Sequence, residues 1–304
     1  MIVHAPSDFL AHASQCAPGA ASSILPRGVL MIEPADFWVS PESAVDNPYV
    51  RLETPADAER ALRQSRALQA AIEACGVPVV TFPGVVEAPD GVFVNNVFAT
   101  AAGQLIVGAM RHPGRRPEAR RQDIRDHFTR RGYRVRDLSQ QGCVAELTGP
   151  LVIDRARGIG YCGLTGRVDA AGVQAMHEAF GLRLTFCFEL APAEYHANVV
   201  LSVLAGRACV LCPEAFADPR VPAAIARVYG DRTLAIDGQE KASFAGNCIA
   251  LTDRHLFMSR TAGNALAADK RDTLSSWGFE LRTVPLDEFE KAGGSLRCLV
   301  AEIF

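Results

Sequence analysis

No charge of either sign dominates this chain. Its 31 lysines and arginines stand against 34 aspartates and glutamates, a formal net charge of -3, which excludes the broad basic surface that drives nonspecific nucleic-acid binding. Long apolar runs are missing as well: no window approaches the roughly 20 residues that a membrane-spanning helix needs. The opening MIVHAPSDFLAHASQ carries no lysine or arginine ahead of an apolar core and so lacks the form of a secretory leader. Neither a P-loop nor an H-E-x-x-H pair occurs, and no metal or organic cofactor is expected. The cysteines do not form an even, clustered set; nine are scattered along the chain, as suits reduced thiols rather than a disulfide framework. Together these absences predict a cytoplasmic protein whose partner is a small molecule, not nucleic acid or a membrane.

What is present is regular. Apolar side chains make up 49% of 304 residues, enough for a large core. Thr54-Pro55-Ala56-Asp57 opens an amphipathic stretch with apolar residues at Leu62, Leu68, Ile72 and Cys75, and it stops at Gly76. A strand-like VPVVTF follows at once. The same pattern recurs in PEARRQDIRDHFTRR to Gly132 then YRVRDL, GVQAMHEAF to Gly181 then LRLTFCFEL, VPAAIARVY to Gly230 then RTLAI, and ALAADKRDTLSSW to Gly278 then FELRTV. The glycines are 56, 49, 49 and 48 residues apart, a spacing that points to a repeat architecture. Each unit has room for two further short β segments. The expectation is a single α/β domain over residues 1–304, built as five ββαβ units around an approximate fivefold axis, with ring closure removing exposed sheet edges. An ordinary α/β sheet with coincidental loop lengths is the alternative.

Equivalent points of the units carry chemistry. Counting on from Gly76, Gly132, Gly181 and Gly278 places Asp90, Glu146, His196 and Cys298 at 14, 14, 15 and 20 residues. In a ring, matching stations face one axis. A thiolate nucleophile, an imidazole that carries a proton and a carboxylate that orients it make a Cys/His/acid hydrolase or transferase. Two other motifs carry nothing. Gly158-Ile159-Gly160-Tyr161-Cys162-Gly163 fits G-x-G-x-x-G but reads as the second strand of a hairpin. Cys209-Val210-Leu211-Cys212 has no second pair to complete a zinc site and reads as core.

At these residues the chain resembles the guanidino-group-modifying superfamily with the pentein, or α/β-propeller, fold, most of all its citrulline-utilisation hydrolase branch. The likeness runs through MIEPADFWVSPESAVDN, PDGVFVNN, ELTGPLVIDR, GLTGRVD, YHANVVLSV and GGSLRCLVAEIF. It implies Cys298 as nucleophile, His196 as general acid and base, and Glu146 as its acidic partner. It also implies substrate contacts from Phe37, Asp90, Asn95, Asn96, Arg116 and Arg167. Asn95-Asn96 stands where dimethylarginine hydrolases carry an acidic pair, and Leu147 where relatives often have glycine. Carboxylates suit a cationic guanidinium, whereas an amide satisfies a neutral urea from either end. The resemblance therefore implies a C-N hydrolase of a ureido amino acid such as citrulline. The alternatives are an arginine deiminase or dimethylarginine dimethylaminohydrolase, then an amidinotransferase, and, outside enzymes, an inactive relative that binds a small amino acid. A second copy in a homodimer is the one macromolecular partner expected.

Overall fold

A computed structural model describes residues 1–18 and 24–304. The chain opens with β1 (Ile2–Val3) and α1 (Pro6–Ala13), and the repeat then starts with β2 (Gly28–Glu33), α2 (Ala58–Glu73) and β3 (Val79–Pro83). The second unit is β4 (Phe98–Ala101), β5 (Gln104–Val107), α3 (Gln122–Thr129) and β6 (Arg134–Asp137). The third is β7 (Leu151–Asp154), β8 (Ile159–Leu164), α4 (Ala170–Ala179) and β9 (Leu184–Glu189). The one-turn α5 (Ala197–Val200) leads into β10 (Leu201–Leu204), β11 (Ala208–Leu211), α6 (Arg220–Tyr229) and β12 (Thr233–Ala235). In the fifth, α7 (Gly238–Ala242) precedes β13 (Ile249–Ala250), β14 (His255–Ser259), α8 (Arg260–Ala265), α9 (Ala268–Ser276) and β15 (Glu280–Val284). The chain ends on α10 (Asp287–Glu290) and β16 (Ala301–Ile303).

These strands form five sheets with one plan: an antiparallel pair, then a third strand returned parallel by a helix. The first unit completes its plan from the far end of the chain, because β16 pairs antiparallel with β2, Ala301 opposite Leu30. That pairing closes the propeller. The repeat is written locally, in the turns that follow the helices: Gly76, Gly132, Gly181, Gly230 and Gly278 all have φ between 60° and 84°, a conformation that L side chains avoid. Helix faces then bury against the sheets, as Leu68 and Ile72 of α2 do beside Val29 and Met31 of β2. Gly158 closes the hairpin turn and Ile159–Gly163 runs along the strand β8 as expected, and Cys209 and Cys212 are buried among apolar neighbours.

Closure covers the first strand of each sheet. The first strands crowd the axis, with β16 against β4 and β10 against both β7 and β13. The third strands lie away from the axis, and although β1 covers β9, β6 and β15 still present edges, so the expectation that a ring abolishes sheet edges is corrected; charges such as Arg134, Arg136, Glu280 and Arg282 protect them. Among the described residues, no helix is long and apolar enough to cross a membrane. The turns that lead into the axial strands converge at one end of the axis, and there the candidate side chains lie.

Candidate active site

Cys298 sits in a single 3-10 turn, Leu296–Leu299, immediately before β16, and not within a strand. The residue is 2% exposed, and its sulfur lies 3.5 Å from Asn247 Nδ2 and 3.9 Å from Asn198 Nδ2. The double glycine ahead of it is a packing requirement. Gly293 has φ of 76° and a Cβ there would come within 2.4 Å of Asn47, while a Cβ on Gly294 would meet the Phe93 ring at 2.4 Å. Only glycines let this turn press against the rest of the site.

His196 precedes α5 and is fully buried, with Nε2 3.1 Å from Glu146 Oε2. The same carboxylate oxygen accepts from Arg167 at 3.0 Å, and Glu146 Oε1 accepts the Arg111 N–H at 3.2 Å. Burial opposes the charge on Glu146, but Arg167, His196 and Arg115 outweigh it and hold the carboxyl below the usual range. Burial also pushes His196 down, to about 4, despite Glu146. An ionised Glu146 beside a neutral imidazole fixes the tautomer: Nε2–H donates to the carboxylate, and Nδ1 carries a lone pair with no hydrogen-bond partner. The ring face lies on Gly149, where a Cβ would come within 2.6 Å of it.

A small, partly open cavity is lined by Cys298, Asp90, Asn96, Arg115 and Arg167 together with Ser43 and Asn47 of the 35–50 loop. Asp90 accepts from the Ser43 hydroxyl at 2.5 Å, while its other oxygen and Asn96 Oδ1 are buried without partners. Burial raises Asp90, with Arg115 and Ser43 pulling the other way. Burial pushes the Cys298 thiol up too, against Asn247, Arg297 and Asn198. At rest, thiol and imidazole are both uncharged, and the walls offer unpaired acceptors. Such a site suits a planar group that brings its own N–H donors.

The structure separates the sequence-predicted residues. It brings together Cys298, Asp90, Asn96 and Arg167, with Glu146 and His196 attached through Arg167. Asn95 is displaced from the cavity wall: its Nδ2 donates to the Thr148 carbonyl at 3.2 Å. Arg116 is corrected, since it lines a different cavity with Ser139 and Gly142 and donates to the Met110 and Arg111 carbonyls. Its neighbour Arg115 reaches the site instead, where it grips Glu118 bidentately and the Asp90 carbonyl at 3.0 Å. Phe37 is corrected as well, being buried against Phe289 at 5.0 Å between ring centroids.

A family model for eukaryotic N,N dimethylarginine dimethylhydrolase matches residues 33–304. The chain belongs to this family. An uncharacterized protein of Caenorhabditis elegans is 25% identical over 290 residues, 93% of this chain and 96% of that one. The bifunctional arginine dihydrolase/ornithine cyclodeaminase ArgZ of Synechocystis is 25% identical over 251 residues, 81% of this chain but 33% of ArgZ. Among solved structures, the substrate-bound N-terminal domain of ArgZ, described as an arginine dihydrolase from cyanobacteria, matches with a TM-score of 0.77 at 22% identity, covering 90% and 97% of the two chains. A dimethylarginine dimethylaminohydrolase adduct with S-methyl-L-thiocitrulline matches at 0.71 and 20% identity, covering 92% and 100%. These structural likenesses show the pentein fold, and family membership makes the chain a cysteine-dependent hydrolase of the guanidino-group-modifying superfamily.

Within the dimethylarginine dimethylhydrolase family fold, sequence reasoning passed over several residues that meet here. Asn247 stands 17 residues after Gly230, on the turn that leads into β13. Asn198 stands two residues past His196 in the quoted YHANVV. Ser43 and Asp46 leave no local signal, because their partners Asp90 and Arg167 are distant in sequence.

Proposed function

We propose that this chain hydrolyses the terminal C-N bond of a ureido amino acid of the citrulline type, with Cys298 as nucleophile, His196 as proton carrier and Glu146 as its orienting partner. Asp90 and Asn96 grip the planar head group. The observation that carries the reading is the cavity wall: one carboxylate, Asp90, and one amide, Asn96, each with an unpartnered buried oxygen, beside two guanidinium groups. A cationic head needs carboxylates, and here burial raises the single one available. A neutral urea donates to both oxygens and needs no second carboxylate.

The chemistry follows from the resting protonation states. His196 Nδ1 takes the thiol proton, and the imidazolium so formed is stabilised by the Glu146 carboxylate. The thiolate attacks the ureido carbon, forming a C-S bond. The C-N bond breaks as the imidazolium gives its proton to the leaving amine. Water then attacks the thiol ester, His196 takes a water proton, and the C-S bond breaks to restore the thiol. The carbamate released loses carbon dioxide, so citrulline and water give ornithine, ammonia and carbon dioxide. Such covalent chemistry on an activated thiol calls for no metal.

The second reading is a true guanidine substrate, and the free Asp90 oxygen favours it; ArgZ is described as acting on arginine. The Asn96→Asp variant decides between them in a competition between citrulline and arginine. The ureido reading expects the unsubstituted protein to prefer citrulline, and the variant, with a second carboxylate, to move at least tenfold toward arginine. A preference for arginine in the unsubstituted protein overturns it.

A further inference from the structure

The sulfur of Cys298 is the last member of a polar belt that the fold builds from equivalent positions. Asn95, Thr148, Asn198 and Cys298 each stand three residues ahead of an axial strand, and Asn247 two ahead of β13. Each amide reaches to a neighbouring unit's backbone: Asn95 Nδ2 and Asn198 Nδ2 both donate to the Thr148 carbonyl, at 3.2 and 2.9 Å, and Asn247 Nδ2 donates to the Asn198 carbonyl at 2.8 Å. The orientation of the Asn247 amide is set by its surroundings, because Oδ1 accepts the Arg297 N–H at 2.9 Å. A flipped amide would point N–H at N–H. With one N–H committed to a carbonyl, the second N–H of Asn247 is left for the sulfur at 3.5 Å, and that of Asn198 for the sulfur at 3.9 Å.

We propose that Asn247, seconded by Asn198, is a positioning residue that stabilises the Cys298 thiolate as it forms and fixes its direction of attack. The inference rests on the reading of Cys298 as the nucleophile. The belt is needed because the sulfur is buried, where a thiolate without donors is disfavoured. The other groups facing the sulfur are Arg297 from its own turn, Tyr195, and Asp90, Arg115 and Arg167 across the cavity. The Asn247 amide also ties the Arg297 backbone, so it sets the turn that presents the sulfur as well as the bond to it.

The test needs no substrate. The rate at which iodoacetamide alkylates Cys298 is followed against pH, with the Cys298 peptide read by mass spectrometry to separate it from the eight other cysteines. In Asn247→Asp the midpoint of this profile moves up by about one unit, so the rate below the midpoint falls about tenfold. Asn198→Ala, which loses the longer contact, shifts it in the same direction by less, and serves if the first variant does not fold. Asn95→Ala removes a belt amide that does not touch sulfur; it lowers the melting temperature and leaves the midpoint in place. Midpoints in folded Asn247→Asp or Asn198→Ala equal to that of the unsubstituted protein overturn the proposal. Retained turnover in Cys298→Ser would instead sink the nucleophile reading, and the two failures are thus read separately.

Discussion

His196 has one ring nitrogen committed to Glu146 and the other unpartnered. With Cys298 and His196 as the proposed catalytic pair, burial that holds the imidazole at about 4 and raises the thiol keeps both uncharged until substrate binds. The acid limb of kcat/KM therefore follows the imidazole, near 4, and the alkaline limb follows the thiol, above its ordinary value of about 8.5. A limb near 6.5 would mean that the histidine titrates as a free one and would contradict this assignment. Gly149 supports the ring from beneath, and a Cβ there would come within 2.6 Å of it. Gly149→Ala should lower kcat by about 100-fold through a misplaced imidazole, with secondary structure unchanged by circular dichroism. A variant with normal kcat would show that the ring has room to spare.

At the scale of single elements, the turns carry the information. Gly132 has φ of 84° and no heavy atom within 4 Å of a built Cβ, so Gly132→Ala tests backbone strain alone and should cost about 1–2 kcal/mol in urea denaturation. Leu147 is the opposite case. It holds φ of 34° in a turn where glycine would be unstrained, yet its side chain is fully buried. Relief of that strain is worth about 1–2 kcal/mol, whereas removing a buried leucine side chain costs about 2–5 kcal/mol. Leu147→Gly should thus destabilise the protein, and a gain in stability would contradict the weighing. The same elements explain what the sequence made legible. Helix, glycine and strand are local signals, and they located the five units and, through them, Asp90, Glu146, His196 and Cys298. Asn96 and Arg167 came from the resemblance and meet the cavity. Arg116 missed it by one residue, because its run of arginines gives no hint of which one turns inward. Phe37 satisfied a packing need against Phe289. The 35–50 loop was marked by the resemblance, through MIEPADFWVSPESAVDN and Phe37, but which of its side chains line the site was not legible, since Ser43 and Asp46 act on residues far along the chain.

On the scale of the whole molecule, one pocket draws on segments as far apart in the chain as Ser43 and Cys298, within a ring that the last strand closes. Burying His196 near the axis has a consequence for folding. Its value of about 4 lies below the ordinary 6.5, so between these limits the unfolded chain binds the additional proton. Stability is complete above 6.5 and falls as pH drops through the window, by up to about 1.4 kcal/mol per pH unit. His196→Gln should flatten this dependence in urea denaturation between pH 7 and 5; an equal slope in both proteins would place the sensitivity elsewhere. The central claim concerns what the assembled pocket does, and product analysis tests it most directly. The purified protein is incubated separately with citrulline and arginine, and ornithine, ammonia and citrulline are assayed beside Cys298→Ser. The account predicts ornithine and ammonia from citrulline, lost in the variant. Citrulline formed from arginine with none consumed, or turnover that survives Cys298→Ser, would contradict it.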